Sequence, residues 1–418
     1  FDPVLFKNGE IFESSGYCSD VYTDELISFV EKNDGKPFLA YLSFNAPHTP
    51  LQVPEAYYEQ YESLEFDTGY FEKNGQYVHE MNEKNKEDAR KVYAMVQNID
   101  DNVGRLISSL KKKNIYDNTI IIFMTDNGPQ QYRYVGGYRG LKGQVREGGI
   151  HVPFYLKNVK NQKNTDAIKA PAAHIDVLPT LAELCGIELS EQLNLDGISF
   201  AKSVTNNNPI ENRPLFFEWQ RSYPEKYRNM AVIDNGYKLI GNTKSHNESN
   251  QFELYNLDKD PFEADNISDQ NPEMVKKLQS MLDNWYDDIM SSEHIKNPPR
   301  TIIGSPEETH TILNRNDARG MQLIWADEQM YVRWDLNIIK SGDYKIICHF
   351  KNPIPNPGEL IIRLGTQNLS KKIATKNTQT INYDIVELNK GEVALEGWYY
   401  SGWGQKHYTP FYIELIQL

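Results

Sequence analysis

The sequence predicts a mixed α/β protein: a mostly parallel sheet flanked by helices, then a small antiparallel α+β section, then a β-sandwich. Three observations predict it. Over residues 1–208 short apolar runs alternate with helical patterns, the arrangement that covers a parallel sheet on both faces. Over 209–295 strand-like runs are joined by tight-turn signals such as Asp234-Asn235-Gly236, which favour antiparallel hairpins. Over 301–418 short β-prone runs are punctuated by Gly, Pro and Asn with no helical period, as in a sandwich.

The elements follow in order. "TDELISFVEKN" (Thr23–Asn33) has a Thr suited to capping and apolar residues at helical spacing. "PFLAYLSF" (Pro37–Phe44) reads as a short apolar strand. "EDARKVYAMVQNIDDNVGRLISSLKKKN" is a long amphipathic helix ending in three lysines, which suit the negative end of its dipole. "NTIIIFMTDNG" and "HVPFYL" are the next strands, and "AHIDVLPTLAELCGI" turns into a helix. "RPLFFEW", "YRNMAVIDNGYKLIG" and "QFELYNL" form the antiparallel section, closed by the helix "NPEMVKKLQSMLDNWYDDIM". "KNPPR" (Lys296–Arg300) is a linker, and six strand-like runs from "MYVRWDLNI" to "PFYIELIQL" complete the chain. The sandwich is expected to fold as a separate unit, adding contact surface and no catalytic group.

Composition narrows the function. With 418 residues the chain is too long for one ordinary core. Its 44 basic and 58 acidic side chains give a formal charge of −14, which opposes nucleic acid or an anionic membrane as main partner. No apolar run is long enough to span a bilayer. Cys18, Cys185 and Cys348 show no metal-like spacing and read as buried or free thiols. Asp100 and Asp101 sit inside the long helix and read as solvated or capping groups, and His174, which opens a helix, as structural.

"TDNG" (Thr125–Gly128) ends a strand with an Asp and an Asn, which suit a turn, a helix cap or half of a metal site. Downstream, "YRGLKGQVREGGIHVP" (Tyr138–Pro153) can bring backbone N–H groups and the Lys142 ammonium to one anion. Upstream, His48 is bracketed by Pro47 and Pro50, which stiffen a catalytic candidate just past a strand end.

This order of motifs resembles the type I sulfatases, the formylglycine-dependent branch of the alkaline phosphatase superfamily. The resemblance spans Phe1 to Met290, and "HIDVLPTLAELCGI", "LDGISF" and "LYNLDKDPFEADNIS" add to it. It implies an alkaline-phosphatase-like sheet, incomplete at its N-terminus, in residues 1–208, with 209–295 as its antiparallel subdomain. It implies that Asp126 and Asn127 are calcium ligands, that Lys142 holds sulfate oxygens, and that His48 lies near the ester oxygen. "TDNG" then becomes half of a calcium site. Arg133, Tyr134 and Arg139 lie in the loop between, where specificity is carried, and Arg139 is the candidate chosen for an anionic sugar.

The sequence departs from the family in two places. No cysteine is followed by x-Pro-x-Arg, the site of the formylglycine, and "SYPEK" (Ser222–Lys226) is a coincidental imitation. The chain therefore reads as the later part of a longer protein whose N-terminal part carries the nucleophile and the other calcium ligands. A pseudoenzyme is the other account. His151 stands where the family often has Arg, and no role follows for it.

The expected activity is removal of sulfate from a sulfated saccharide, with Ca2+, in the periplasm or outside the cell. Two other readings stay open: a phosphodiesterase or phosphonate hydrolase of the same superfamily, and a non-catalytic glycan-binding protein. For the second, the aromatics Trp325, Trp334, Trp398, Tyr399, Tyr400 and Trp403 could stack on sugar rings or fill the core.

Overall fold

The computed structural model describes the chain except residues 68, 70, 71, 73–75, 158, 159, 161–166, 221, 222, 243–250, 321–329 and 402–405. Ser222, Trp325 and Trp403 thus lie outside the described residues. Two compact units result, one taking in Ile11–Gln220 and Glu225–Tyr286, the other Asp287–Leu418.

After β1 (Val4–Lys7) and β2 (Glu10–Glu13), the first unit continues with α1 (Cys18–Lys32) and α2 (Glu55–Tyr58). Helix α1 starts earlier than expected, and Thr23 does not cap it. Thr23 is fully buried inside the helix and its hydroxyl donates to Ser19 O at 2.8 Å. Helix α3 (Glu83–Lys112) is the long amphipathic one. Asn82 caps it reciprocally with Asn85, and Lys111 and Lys112 occupy its last turn. Its buried face carries Ala89, Val92, Met95 and Ile99 at helical spacing. Asn98 and Asn102 on that face donate to Asp20 of α1 at 2.9 and 2.7 Å, so the two helices share a buried polar clasp. Asp101 accepts from Tyr57 at 2.9 Å on the exposed side.

β3 (Ile121–Met124) pairs antiparallel with β4 (Phe154–Lys157). The mixed α/β class holds, but Pro37–Phe44 forms no strand, and parallel pairing is absent from this layer among the described residues. The reason is physical. An apolar strand is buried only when neighbours satisfy its backbone on both edges, and no described strand pairs with this one. Leu39 and Tyr41 are accordingly 84 % and 89 % exposed. Between β3 and β4 lies α4 (Glu147–Ile150), and after β4 come α5 (Val177–Cys185), ended by Gly186 at φ 66°, and α6 (Ala201–Asn206).

The antiparallel section is the meander β5 (Leu215–Glu218), β6 (Arg228–Asp234), β7 (Tyr237–Asn242) and β8 (Phe252–Asn256). Asn235 and Gly236 both take positive φ, 50° and 76°, as a two-residue hairpin requires. Helix α7 (Pro272–Ser291) lays Leu278 and Leu282 on Met230, Val232, Leu239 and Leu254. Each such buried side chain is worth roughly 1.5–3 kcal/mol.

The second unit takes in the short helix α8 (Glu293–Lys296) before its strands. One sheet orders β10 (His310–Leu313), β19 (Tyr412–Gln417), β13 (Gly342–Ile354) and β16 (Thr378–Leu388). The other orders β11 (Ala318–Gly320), β12 (Val332–Ile338), β17 (Gly391–Ser401), β14 (Gly358–Leu364) and β15 (Gln367–Ile373). β9 (Thr301–Ile303) joins β12 in parallel, and β18 (Lys406–Tyr408) joins β17. Trp334 and Tyr399 belong to the core, where Trp334 Nε1 donates to Asn314 O at 2.7 Å. Trp398 is half-buried and Tyr400 is exposed. All three cysteines are free thiols, and Cys348 is fully buried in this core.

Candidate functional site

Strand β3 delivers Asp126 and Asn127 to its carboxyl end. The Asn127 backbone and side-chain N–H groups donate to Asp126 Oδ1 at 2.9 and 2.7 Å, so the two side chains converge. The Gly-rich loop is fastened to this strand end by its backbone. Gly128 N donates to Gly149 O at 2.9 Å and Lys142 N donates to Pro129 O at 2.8 Å. Packing here is so close that a Cβ on Gly128 would lie 1.8 Å from Gly148 O. The backbone of Lys142 is thereby tied to the segment that follows Asp126 and Asn127. Among the described residues no carboxylate pairs with its ammonium, which leaves the charge available to an anion.

The loop bearing His48 approaches from another part of the chain. The buried Tyr17 hydroxyl donates to Gln52 O at 2.8 Å and holds that loop against α1. His48 is exposed, with Nδ1 2.8 Å from Thr49 O. A carbonyl oxygen only accepts, so Nδ1 carries the hydrogen and Nε2 is the free nitrogen. A cleft of about 580 Å³ is lined by Thr49 and Leu51, by Gln130, Gln131 and Tyr132, and by Lys84, Asn85, Asp88 and Lys91 of α3, with Lys84 paired to Asp88 at 2.5 Å. Residues some eighty positions apart in sequence thus share one concavity with two lysines in its lining.

Asp126 and Asn127 offer hard oxygen donors, which suit an ion such as Ca2+ or Mg2+. Their number does not complete a shell of 6–8 oxygens, and the described residues contain no group of three or more His, Cys, Asp or Glu placed to hold a metal. The donor chemistry fits, and the set is partial.

Beneath the loop lies a charge network that the sequence did not disclose. Lys238 of β7 is fully buried, with Nζ 2.8 Å from Glu147 Oε1 and 2.8 Å from Glu263 Oε1. Glu147 Oε2 is 2.9 Å from His151 Nδ1, and the His151 ring stacks on Tyr138 at 4.5 Å. Burial alone would raise Glu147, but His151 and Lys238 outweigh it and hold the carboxyl at about 2. For Glu263 burial wins over Lys238, and its pKa is raised. The i,i+4 spacing of Glu147 and His151 was the available signal. Lys238 and Glu263 had none, being 91 and 116 residues away from Glu147.

The loop cations differ. Arg139 donates to Glu263 O at 2.7 Å and covers the Tyr77 ring at 5.3 Å, so its guanidinium is engaged in the protein. Arg133 lies 3.4 Å from Gln131 Oε1, and burial lowers its pKa. No described carboxylate pairs with Arg133. His79 was passed over by the sequence reading. It is buried between the rings of Tyr77 and Tyr132, and desolvation lowers its pKa.

The mixed α/β layer, with an aspartate at the end of β3 and a lysine on the Gly-rich loop tied to it, is that of an alkaline-phosphatase-like chain. Residues 5–187 match the sulfatase family, and residues 141–289 match the C-terminal family of N-sulphoglucosamine sulphohydrolase. The chain belongs to the sulfatase family, whose members generally use a metal ion.

Similar proteins include the uncharacterized sulfatase YdeN of Escherichia coli, 30 % identical over 322 residues, covering 68 % of this chain and 53 % of YdeN. The N-acetylglucosamine-6-O-sulfatase of Bacteroides thetaiotaomicron is 22 % identical, covering 77 % of this chain and 68 % of that protein. Among solved structures, Ps i-CgsB in complex with k-i-k-neocarrahexaose is 28 % identical at a TM-score of 0.56, covering 68 % of this chain and 58 % of that one. The chain therefore spans about half the length of the first curated relatives it matches, 53 % and 52 %. No described helix is long and apolar enough to cross a membrane.

Proposed function

We propose that the protein hydrolyses sulfate esters on a sulfated saccharide, with a formylglycine nucleophile and a calcium ion. The observation that carries this reading is Lys142: a cation without a described counter-ion, its backbone bonded to Pro129 two residues past the Asp126–Asn127 pair. Lys142 neutralises the sulfate oxygens. His48 moves a proton at Nε2 toward the ester oxygen, its ring oriented by the Thr49 carbonyl. Asp126 and Asn127 would hold calcium, which when bound polarises the sulfate. Arg139 stays the sequence-based candidate for the sugar's anionic group, and Arg133 joins it because no described carboxylate neutralises it.

The nucleophile and the remaining metal ligands belong, in this reading, to a part of the same protein outside these 418 residues. The exposed Leu39 and Tyr41 and the partial span of the relatives support it. The catalytic part is residues 1–208, supported by 209–295, with 301–418 as an accessory sandwich, and the protein acts in the periplasm or outside the cell. In the complete protein, Lys142→Ala and His48→Ala should each lower aryl sulfate hydrolysis at least about 100-fold. Unchanged rates in both variants would overturn the assignment. Two zinc or manganese ions per chain instead of one calcium would favour a phosphoryl hydrolase.

A further inference from the structure

We infer that the C-terminal sandwich carries its own binding site for a sulfated saccharide. The inference rests on the reading of the substrate as a sulfated sugar, but its site lies entirely within the second unit. A groove of about 810 Å³ opens there, lined by Lys296, Arg300, Arg319, Arg333, Asp335 and Glu392, with Pro298 and Pro299 as apolar wall. Four cations face two carboxylates, in a chain whose net charge is −14. A local excess of positive charge on an acidic protein is a feature of the site and not of the composition.

The sheet explains how the charges are gathered. Side chains of β12 alternate strictly, Val332, Trp334, Leu336 and Ile338 inward, Arg333 and Asp335 outward. Register sets Arg319 opposite Arg333, and Arg333 opposite Glu396. Like charges directly opposite each other repel, so the Arg319–Arg333 pair favours an anion. Arg333 has Glu396 opposite it on the other side and Asp335 on its own strand, at 3.0 Å from Nε and 3.3 Å from Nη2, while Asp335 approaches Arg319 only to 3.8 Å. Arg319, the less neutralised of the two, keeps N–H groups for a ligand. Arg300 is oriented by Glu392 at 3.0 Å.

The ligand class follows from this mixture. Planar guanidinium groups suit the paired oxygens of a sulfate, while Asp335 and Glu392 accept hydrogen bonds from sugar hydroxyls. A single inorganic ion would fill a small fraction of the groove, whereas an oligosaccharide matches its size. A single-stranded DNA fits less well, because its backbone offers the two carboxylates no free hydroxyls, whereas a sulfated sugar offers hydroxyls to them and sulfates to the cations.

Affinity electrophoresis of the full chain through gels containing ι-carrageenan, with unsulfated agarose as control, tests the inference. Carrageenan should retard the protein and agarose should not. Arg319→Gln with Arg333→Gln should weaken the interaction at least about tenfold with an unchanged melting temperature. Lys296→Gln gives a second, milder loss if the double variant unfolds. Lys142→Ala should keep most of the retardation that the arginine double variant loses. Retardation that is lost in Lys142→Ala and kept in the arginine variant would overturn the inference, since the first unit would then hold the probe. Equal retardation by single-stranded DNA, or none by carrageenan, would overturn it as well. None of these readouts involves turnover, so failure here leaves the hydrolase reading to its own test.

Discussion

The Gly128 amide donates to the carbonyl of Gly149 at 2.9 Å, fastening the strand end that carries Asp126 and Asn127 to the later part of the loop that bears Lys142 and His151. Contact is so close that Gly128 has no room for a side chain: its Cβ would meet backbone, Gly148 O, at 1.8 Å. Gly128→Ala should therefore destabilise the chain by about 1–3 kcal/mol, as overpacking does. Thermal unfolding compared with an alanine placed at the unobstructed Gly104 measures it, and an equal melting temperature would contradict the packing described.

Lys238 holds two buried carboxylates, so Lys238→Met should cost about 3–5 kcal/mol by leaving them uncompensated. Adding Glu263→Gln should recover part of that loss. Chemical denaturation of the single and double variants checks both, and a double variant no more stable than the single would contradict the network.

Two carboxyls make opposite pH contributions. Glu147, held at about 2, stabilises the fold above its unfolded pKa, and that contribution is lost as pH falls toward 2. Glu218 is raised to about 7 by burial, so its contribution is present below its unfolded pKa and is lost as pH rises through 7. Glu218→Gln should thus gain stability relative to the parent between pH 5 and 8, and Glu147→Gln should lose it above pH 5. Denaturation midpoints across that range read both signs, and parallel curves for parent and Glu218→Gln would refute the second.

Arg133 should serve the substrate's second anionic group. In the complete protein, Arg133→Gln should raise KM for a sulfated oligosaccharide about tenfold or more while changing that for a small aryl sulfate little. Equal effects on both would point to a structural role.

Residues 301–418 should fold alone, because Trp334, Tyr344, Tyr399 and their neighbours form a core within that segment. A fragment lacking a cooperative unfolding transition would refute this.

Much of this was legible in the sequence. Helix α3 could be read because its apolar residues recur at helical period and lysines end it. The hairpin at Asn235-Gly236 could be read because few residues accept positive φ. Sandwich strands were visible by alternation, although β9, β10, β11, β15 and β18 were too short or too polar to announce themselves. Asp126, Asn127, His48 and Lys142 stood out through ordered motifs. Thr23 misled, because a capping residue type is recognised by identity, while its role depends on where the helix begins.

The sequence by itself determined the local elements and the residue types of the candidate site, since turn chemistry, periodicity and donor type are properties of short segments. Only the tertiary structure decided which distant groups meet. It put Lys238 between Glu147 and Glu263, engaged Arg139 with the Glu263 carbonyl, placed Thr49 and Gln131 in one cleft, and aligned Arg319 with Arg333 across two strands. It also left Pro37–Phe44 unpaired, with Leu39 and Tyr41 exposed. A strand's hydrogen-bonding edges and a buried charge's counter-ion are satisfied by other parts of a chain, and nothing in the local segment names them.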